Sequence, residues 1–208
     1  MLEIKKFSSD DIGIYLKSLS DTRIEMVGKL RDWQMIDEEI VSLMHTKNSC
    51  VARYGTSDSM EENDIKFKLL QGLEIDNNVK HKYLYAHSRI NELDHPLLKY
   101  LHFVTLLEQP VFHTLVLNNK GEKDIVWDRK FDTEAKILED IYKDTYQLAS
   151  GGIHIDMFTK YHPCESCIGV MEQFSGKMQE NNVNVIINVY YEIKSSKQSR
   201  LKRGQIAL

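Results

Sequence analysis

The chain has 208 residues, 42% of them hydrophobic, which is enough for one domain of ordinary size with an extension and for a substantial core. With 27 basic against 31 acidic side chains, its formal net charge of -4 excludes a global basic field of the kind that coats nucleic acid or a membrane surface, so any polyanion must be held by a local patch. The start "MLEIKKFSSDDIGIYL" has no basic segment followed by an apolar run, and no stretch reaches about 18 consecutive apolar residues, which predicts a soluble protein with no export signal of its own and no contact with a membrane.

No internal repeat, low-complexity block or rigid linker is visible, so boundaries are read from periodicity. From Ser9 to about Met44 apolar residues recur at helical spacing (Ile12, Tyr15, Leu16, Leu19, then Ile36, Ile40, Leu43, Met44), and Ser8 to Asp11 supply good N-cap types. The stretch "TSDSMEENDIKFKLLQGLEIDNNVK" begins polar and acidic, holds one short apolar run and ends in a turn-like cluster. This places a boundary near Asn77, with residues 1–77 a helical N-terminal region, 78–193 a second unit and 194–208 a tail.

Beyond that boundary the pattern changes. "KYLYAHSRI" and "VFHTLVLN" are short, rich in aromatic and β-branched residues and closed by Asn or Gly, which predicts two strands. "DTEAKILEDIYKDTYQLAS" puts Ala135, Leu138, Ile141, Tyr142, Thr145 and Leu148 on one helical face and is stopped by Gly151 and Gly152. A strand "IHIDMFT", a helix from about Pro163 carrying Ile168, Met171, Phe174 and Met178, and a strand "VNVIINVYYEI" complete the series. Strands alternating with helices in this way predict a three-layer α/β sheet domain.

Three cysteines, Cys50, Cys164 and Cys167, make an odd count and a poor disulfide framework, which fits a reducing, cytoplasmic compartment. Pro163 favours the first turn of a helix, so Cys164 and Cys167 fall at i and i+3 on one face of that turn, where unpaired backbone N–H groups stabilise anions and lower a thiol pKa. Two thiolates cannot complete a zinc site alone. A redox dithiol and two incidental cysteines near a helix cap are the other readings of the same spacing. His154 and Asp156 make a tempting pair, but strand alternation sends both to the face opposite Ile153, Ile155 and Met157, toward solvent. A better partner for the thiolates opens the upstream helix, where Asp132 and Glu134 stand in the first turn.

Taken together, "DTEAKILEDI", "GGIHIDMFTKYHPCESCIGVMEQF" and "VNVIINVYYE" resemble the bacterial toxin-type deaminases of the cytidine deaminase-like superfamily, whose core pairs an acid-bearing helix start with a PCxxC helix start. "YAHSRIN" also resembles the first-strand segment of that group, and the likeness runs from about Tyr83 to Glu192. It implies a cytidine deaminase-like mixed sheet flanked by helices, a Zn2+ ion held by Asp132, Cys164 and Cys167, and Glu134 as the proton carrier of a hydrolytic nucleobase deaminase. The implied substrate is a base in nucleic acid, cytosine ahead of adenine, with a free nucleotide as a further possibility, and a role as toxin or defence effector brings an immunity protein as partner. Asp132 departs from the family, most of whose members have histidine there. Three anionic ligands leave a metal less Lewis acidic, which keeps open a zinc-stabilised but inactive binding module on the same fold.

By the same resemblance Ser88 and Asn91 lie beside the active site as substrate-binding residues, although a surface serine and a turn-forming asparagine account for them equally. His162 either stacks on the base or is an exposed loop histidine, and Cys50 is expected to be a buried small hydrophobe. The tail "IKSSKQSRLKRGQIAL" carries Lys194, Lys197, Arg200, Lys202 and Arg203 with no acidic residue, a patch suited to phosphates or a solvated terminus. It stands where many deaminases continue with a helix and a strand, so a smaller sheet is expected.

Overall fold

The structure of the chain is a computed structural model that describes residues 1–57, 81–115 and 129–193. Its strands are β1 (Leu2–Lys6), β2 (Ser49–Ser57), β3 (Lys82–His87), β4 (Gly151–Tyr161) and β5 (Val183–Ile193). Its helices are α1 (Asp11–Asp32), α2 (Glu38–Thr46), α3 (Thr133–Thr145) and α4 (Glu165–Glu180). The strands form one mixed sheet in the order β1-β5-β4-β2-β3, with β1, β5 and β4 mutually parallel and the antiparallel pair β2-β3 joined to β4 through an antiparallel β2.

Alternation along the strands divides the sheet into two faces. Cys50, Ala52, Tyr54, Ile153, Ile155, Met157, Ile187 and Val189 pack against Leu138 and Ile141 of α3 and Val170, Met171, Phe174 and Met178 of α4. On the other face Leu16 of α1 packs against Val51, Phe158 and Tyr190. Helices thus cover both faces, and the expected three-layer α/β architecture is what forms. A third cluster of Val27, Leu30, Val41, Met44, Ile90, Leu97 and Leu101 joins the end of α1 and α2 to the 90–101 segment.

The helical reading of the first residues holds for α1 and α2, and two strands flank them. β1 and β2 both arise ahead of residue 77, yet both belong to the sheet that contains β4 and β5. The alternation Leu2/Ile4 and Cys50/Ala52/Tyr54 is what a strand needs, and the long, evident helical period of α1 and α2 between them masks it. β1 pairs in parallel with β5 and forms that edge of the sheet. Residue 77 and the tail 194–208 lie outside the described residues.

A second difference lies at 111–115, where the composition predicts the start of a strand; residues 116–118 of that expected strand lie outside the described residues. The segment runs along α3 and α4, and side chains of these helices take its backbone N–H groups. Glu139 Oε2 and Oε1 accept from Val111 and Phe112 at 3.0 and 2.7 Å, Gln173 Oε1 accepts from His113 at 2.9 Å, and Ser166 Oγ accepts from Leu115 at 2.9 Å. With these donors spent on helix side chains the segment has no ladder to join. Phe112 drops between Tyr142 and Phe174, at ring distances of 5.3 and 5.9 Å.

Candidate metal centre and active site

The start of α3, the start of α4, the start of β2 and the end of β4 meet at one edge of the sheet, and each delivers polar side chains there. Helix α4 begins at Glu165 with Cys164 as N-cap, its sulfur accepting from Cys167 N at 3.4 Å, so Pro163 stands just before the cap. Asp132 is the N-cap residue of α3, but its side chain makes no capping bond. The carboxylate turns instead to the thiols. Its Oδ2 lies 3.3 Å from Cys164 Sγ and 3.4 Å from Cys167 Sγ, the two sulfurs are 3.4 Å apart, and Oδ1 faces Arg129 Nη1 at 3.6 Å.

Among the described residues these three are the one group of His, Cys, Asp or Glu side chains whose ligand atoms converge, all within 4.8 Å of one another. Both cysteines are free thiols. Tetrahedral zinc with thiolates at ~2.3 Å has an edge of about 3.8 Å, so the triangle needs to open by only a few tenths of an ångström to become one face of such a site. Electrostatics point the same way. The Cys167 thiol is pushed well above its ordinary pKa by the Cys164 thiol, by burial and by the Glu134 and Asp132 carboxylates, the reverse of the lowering expected from the helix N-terminus. A divalent cation would relieve this crowding around the Cys167 sulfur, and a donor set of two thiols and a carboxylate fits zinc.

Glu134, two residues on, is 2% exposed. Thr133 Oγ1 donates to its Oε2 and Thr159 Oγ1 to its Oε1, each at 2.8 Å. Asn48, the residue before β2, donates through Nδ2 to those same hydroxyls at 2.9 and 3.2 Å and approaches Glu134 Oε2 at 3.4 Å. Each threonine therefore accepts from the amide and donates to the carboxylate, and the Glu134 side chain has one orientation. Burial and the Asp132 carboxylate push its pKa up. The sequence alone does not single out Asn48, Thr133 or Thr159: an asparagine in a region of helical period carries no signal, and the two threonines look like ordinary cap and strand residues.

Ser88 and Asn91 lie in the turn that follows β3. Ser88 N donates to the Asn48 carbonyl at 3.0 Å, which brings the turn to the site, and Ser88 is half-buried. The Asn91 side chain is engaged at both ends: Nδ2 donates to the Ser88 carbonyl at 3.3 Å, and Oδ1 accepts from Lys136 Nζ at 3.0 Å. His162 donates its backbone N–H to the Ile193 carbonyl and sets its ring edge to face against Tyr191, with ring centres 4.8 Å apart. Cys50 is buried as expected, its thiol pKa raised by burial and by Glu134. His154 and Asp156 do face away from Ile153 and Ile155, but not into solvent. Asp156 is 2% exposed and takes Arg53 Nε at 2.9 Å, Asn188 Nδ2 at 2.9 Å and His154 Nε2 at 3.2 Å. The expectation of a solvated pair is corrected by Arg53, which belongs to β2, a strand hidden in the helical period of the first residues.

A five-stranded mixed sheet with two helix starts presenting Asp132, Glu134, Cys164 and Cys167 at one edge is the arrangement expected of a cytidine deaminase-like fold. The toxin-deaminase family model, described as the BURPS668_1122 family of deaminases, matches residues 58–191, more than half of the chain. The chain belongs to this family of deaminases. No curated protein and no solved structure matches it significantly. Among the described residues no helix is long and apolar enough to cross a membrane.

Proposed function

We propose that the protein is a zinc-dependent hydrolytic deaminase of a nucleobase, cytosine, within nucleic acid, and that it acts as a toxin whose producer is guarded by an immunity protein. The observation that carries the reading is the triangle of Asp132 Oδ2, Cys164 Sγ and Cys167 Sγ at 3.3 to 3.4 Å, two residues from a buried carboxylate. When held by these three residues, zinc supplies Lewis acidity that makes water nucleophilic near neutral pH.

The remaining chemistry falls to the chain. Water must lose a proton as it adds to the ring carbon that bears the exocyclic amine, and Glu134 receives that proton at an Oε atom and passes it to the neighbouring ring nitrogen. The second proton of the water goes by the same carboxylate to the amine, which leaves as ammonia, and the ring keeps a carbonyl. Thr133, Thr159 and Asn48 hold the carboxylate at one angle through both transfers, which reduces the reorganisation each step requires. Arg129, 3.6 Å from Asp132 Oδ1, offsets part of the negative charge that an aspartate adds where histidine is usual.

Two measurements test this. Purified protein should carry about one zinc per chain, lost in Cys164→Ser and weakened in Asp132→Ala, and metal analysis of a folded sample without zinc would remove the site. DNA and RNA sequenced from cells that express the protein should show C-to-T changes; A-to-G changes would make adenine the base, and zinc without any base change would leave a binding module.

A further inference from the structure

Lys136 is the fifth residue counted from Asp132 along α3, and it is 1% exposed. A lysine in that position is costly to bury unless its charge and all three N–H groups are matched. Here they are matched. Nζ donates to the His87 carbonyl at 2.6 Å, to the Ile90 carbonyl at 2.7 Å and to Asn91 Oδ1 at 3.0 Å. Burial pushes the pKa of Lys136 down to about 7, and the Asp132 and Glu134 carboxylates oppose that push. Three oxygen acceptors require three donors, so the ammonium is the form that fits the cage.

The acceptors all belong to one turn, residues 87–91, which leaves the end of β3. The turn is also held by the pairing of His87 with Ser49 of β2, by Ser88 N to the Asn48 carbonyl, by Ile90 in the cluster with Met44 and Leu97 and, on its far side, by Leu106 N to the Asn91 carbonyl at 3.1 Å, but Lys136 is the side chain that gathers three of its oxygens at once. Asn48 is itself hydrogen-bonded to the threonines that hold Glu134. The turn and the carboxylate are thus joined twice, once through Asn48 and once through α3 itself, by way of Lys136.

We propose that Lys136 is a positioning residue for substrate capture, its ammonium fixing the 87–91 turn, and with it Ser88, at a set distance from the helix start that carries Asp132 and Glu134. The inference rests on the deaminase reading above. In it Lys136 touches neither metal nor base; it decides where the turn that carries Ser88 stands relative to Glu134. Removing it leaves Asp132, Cys164, Cys167 and Glu134 in place, so the loss appears in binding of the base-bearing strand before it appears in the proton transfers.

The test compares Lys136→Met and Lys136→Arg in the full chain. With a cytosine-containing single-stranded DNA oligonucleotide as probe, Lys136→Met should raise KM by about 10- to 100-fold with a much smaller change in kcat, and zinc content should stay at the wild-type value. Lys136→Arg, which keeps the charge and several donors, should recover part of the KM. A wild-type KM in Lys136→Met, or a loss confined to kcat, would overturn the proposal. Should Lys136→Met not fold, Asn91→Ala removes one side of the cage and should move KM in the same direction; an unchanged KM there overturns it as well. Amide hydrogen exchange separates this from failure of the deaminase reading. If the wild-type protein deaminates no base, the functional reading falls, while the Ser88 and Ile90 amides must still exchange faster in Lys136→Met than global unfolding accounts for; unchanged exchange would show that Lys136 does not hold the turn.

Discussion

At Glu134 several demands meet in one side chain. In the proposed mechanism the carboxylate must be free to exchange protons, yet it must stand at one angle to the base and stay off the metal. The two threonine hydroxyls at 2.8 Å fix the angle, and Glu134, two residues past Asp132, lies outside the converging triangle of donors. Glu134→Gln keeps the size and most of the packing and removes the proposed proton carrier. In that variant the amide nitrogen meets one threonine hydroxyl, which can turn to accept instead of donate, so the melting temperature should stay close to wild type. Zinc content should also be retained, while deamination of the oligonucleotide falls by about 10²- to 10⁴-fold. Wild-type turnover would make Glu134 structural, and loss of zinc would place it among the ligands. Asp132 makes the complementary point. It occupies an N-cap position without capping, and a polar side chain that forgoes its local hydrogen bond to face two thiols is held there by something other than helix formation.

Elements differ in how plainly their sequence announces them, and the reason lies in what each one buries. Helices α3 and α4 each present one apolar stripe to the sheet, so Ala135, Leu138 and Ile141, or Met171, Phe174 and Met178, declare both the element and its inward face. The sulfur pair at the start of α4 and the acids at the start of α3 are legible for the same reason: a helix start fixes which residues share a face. β1 and β2 are not, since five or nine residues of alternation give little signal beside a 22-residue helix, and without β2 neither Asn48 nor Arg53 has a reason to matter. The 111–115 strap has a composition that suits a strand, whereas the partners that decide its path, Glu139, Gln173 and Ser166, lie on helices distant in sequence. Glu139 is the strongest of these fastenings, one buried carboxylate accepting two backbone N–H groups. Glu139→Gln turns one acceptor into a donor facing an N–H, which should cost about 1–3 kcal/mol and speed amide exchange at Val111 and Phe112. An unchanged melting temperature and unchanged exchange would mean that packing of Phe112 alone holds the strap.

Across the whole molecule the two faces of the sheet carry different work. One packs α3 and α4 and ends in the donor triangle; the other packs α1 and buries a charged cluster of Arg53, His154, Asp156 and Asn188 that ties β2, β4 and β5 together. Burial alone would raise the pKa of Asp156, but hydrogen bonding from His154, the His154 and Arg53 charges and the Asn188 amide together bring it down from 3.8 to about 2. A carboxyl held below its unfolded value binds fewer protons folded than unfolded, so its stabilising effect is complete above about pH 4 and is lost as pH falls toward 2, a change of about 2 kcal/mol. Asp156→Asn has no such titration. Near neutral pH it leaves the Arg53 guanidinium, 12% exposed, without its counter-charge, and should be less stable than wild type by about 3 kcal/mol. Between about pH 4 and pH 2 that gap should narrow, because the protonated Asp156 carboxyl and the amide that replaces it in the variant are then both neutral. Release of a bound metal in acid affects both proteins alike and drops out of the difference. Urea unfolding of the two proteins near neutral pH and across the acid range checks this: a gap that stays constant to pH 2 would mean that the cluster stabilises the sheet through packing, and that the charge on Asp156 contributes nothing.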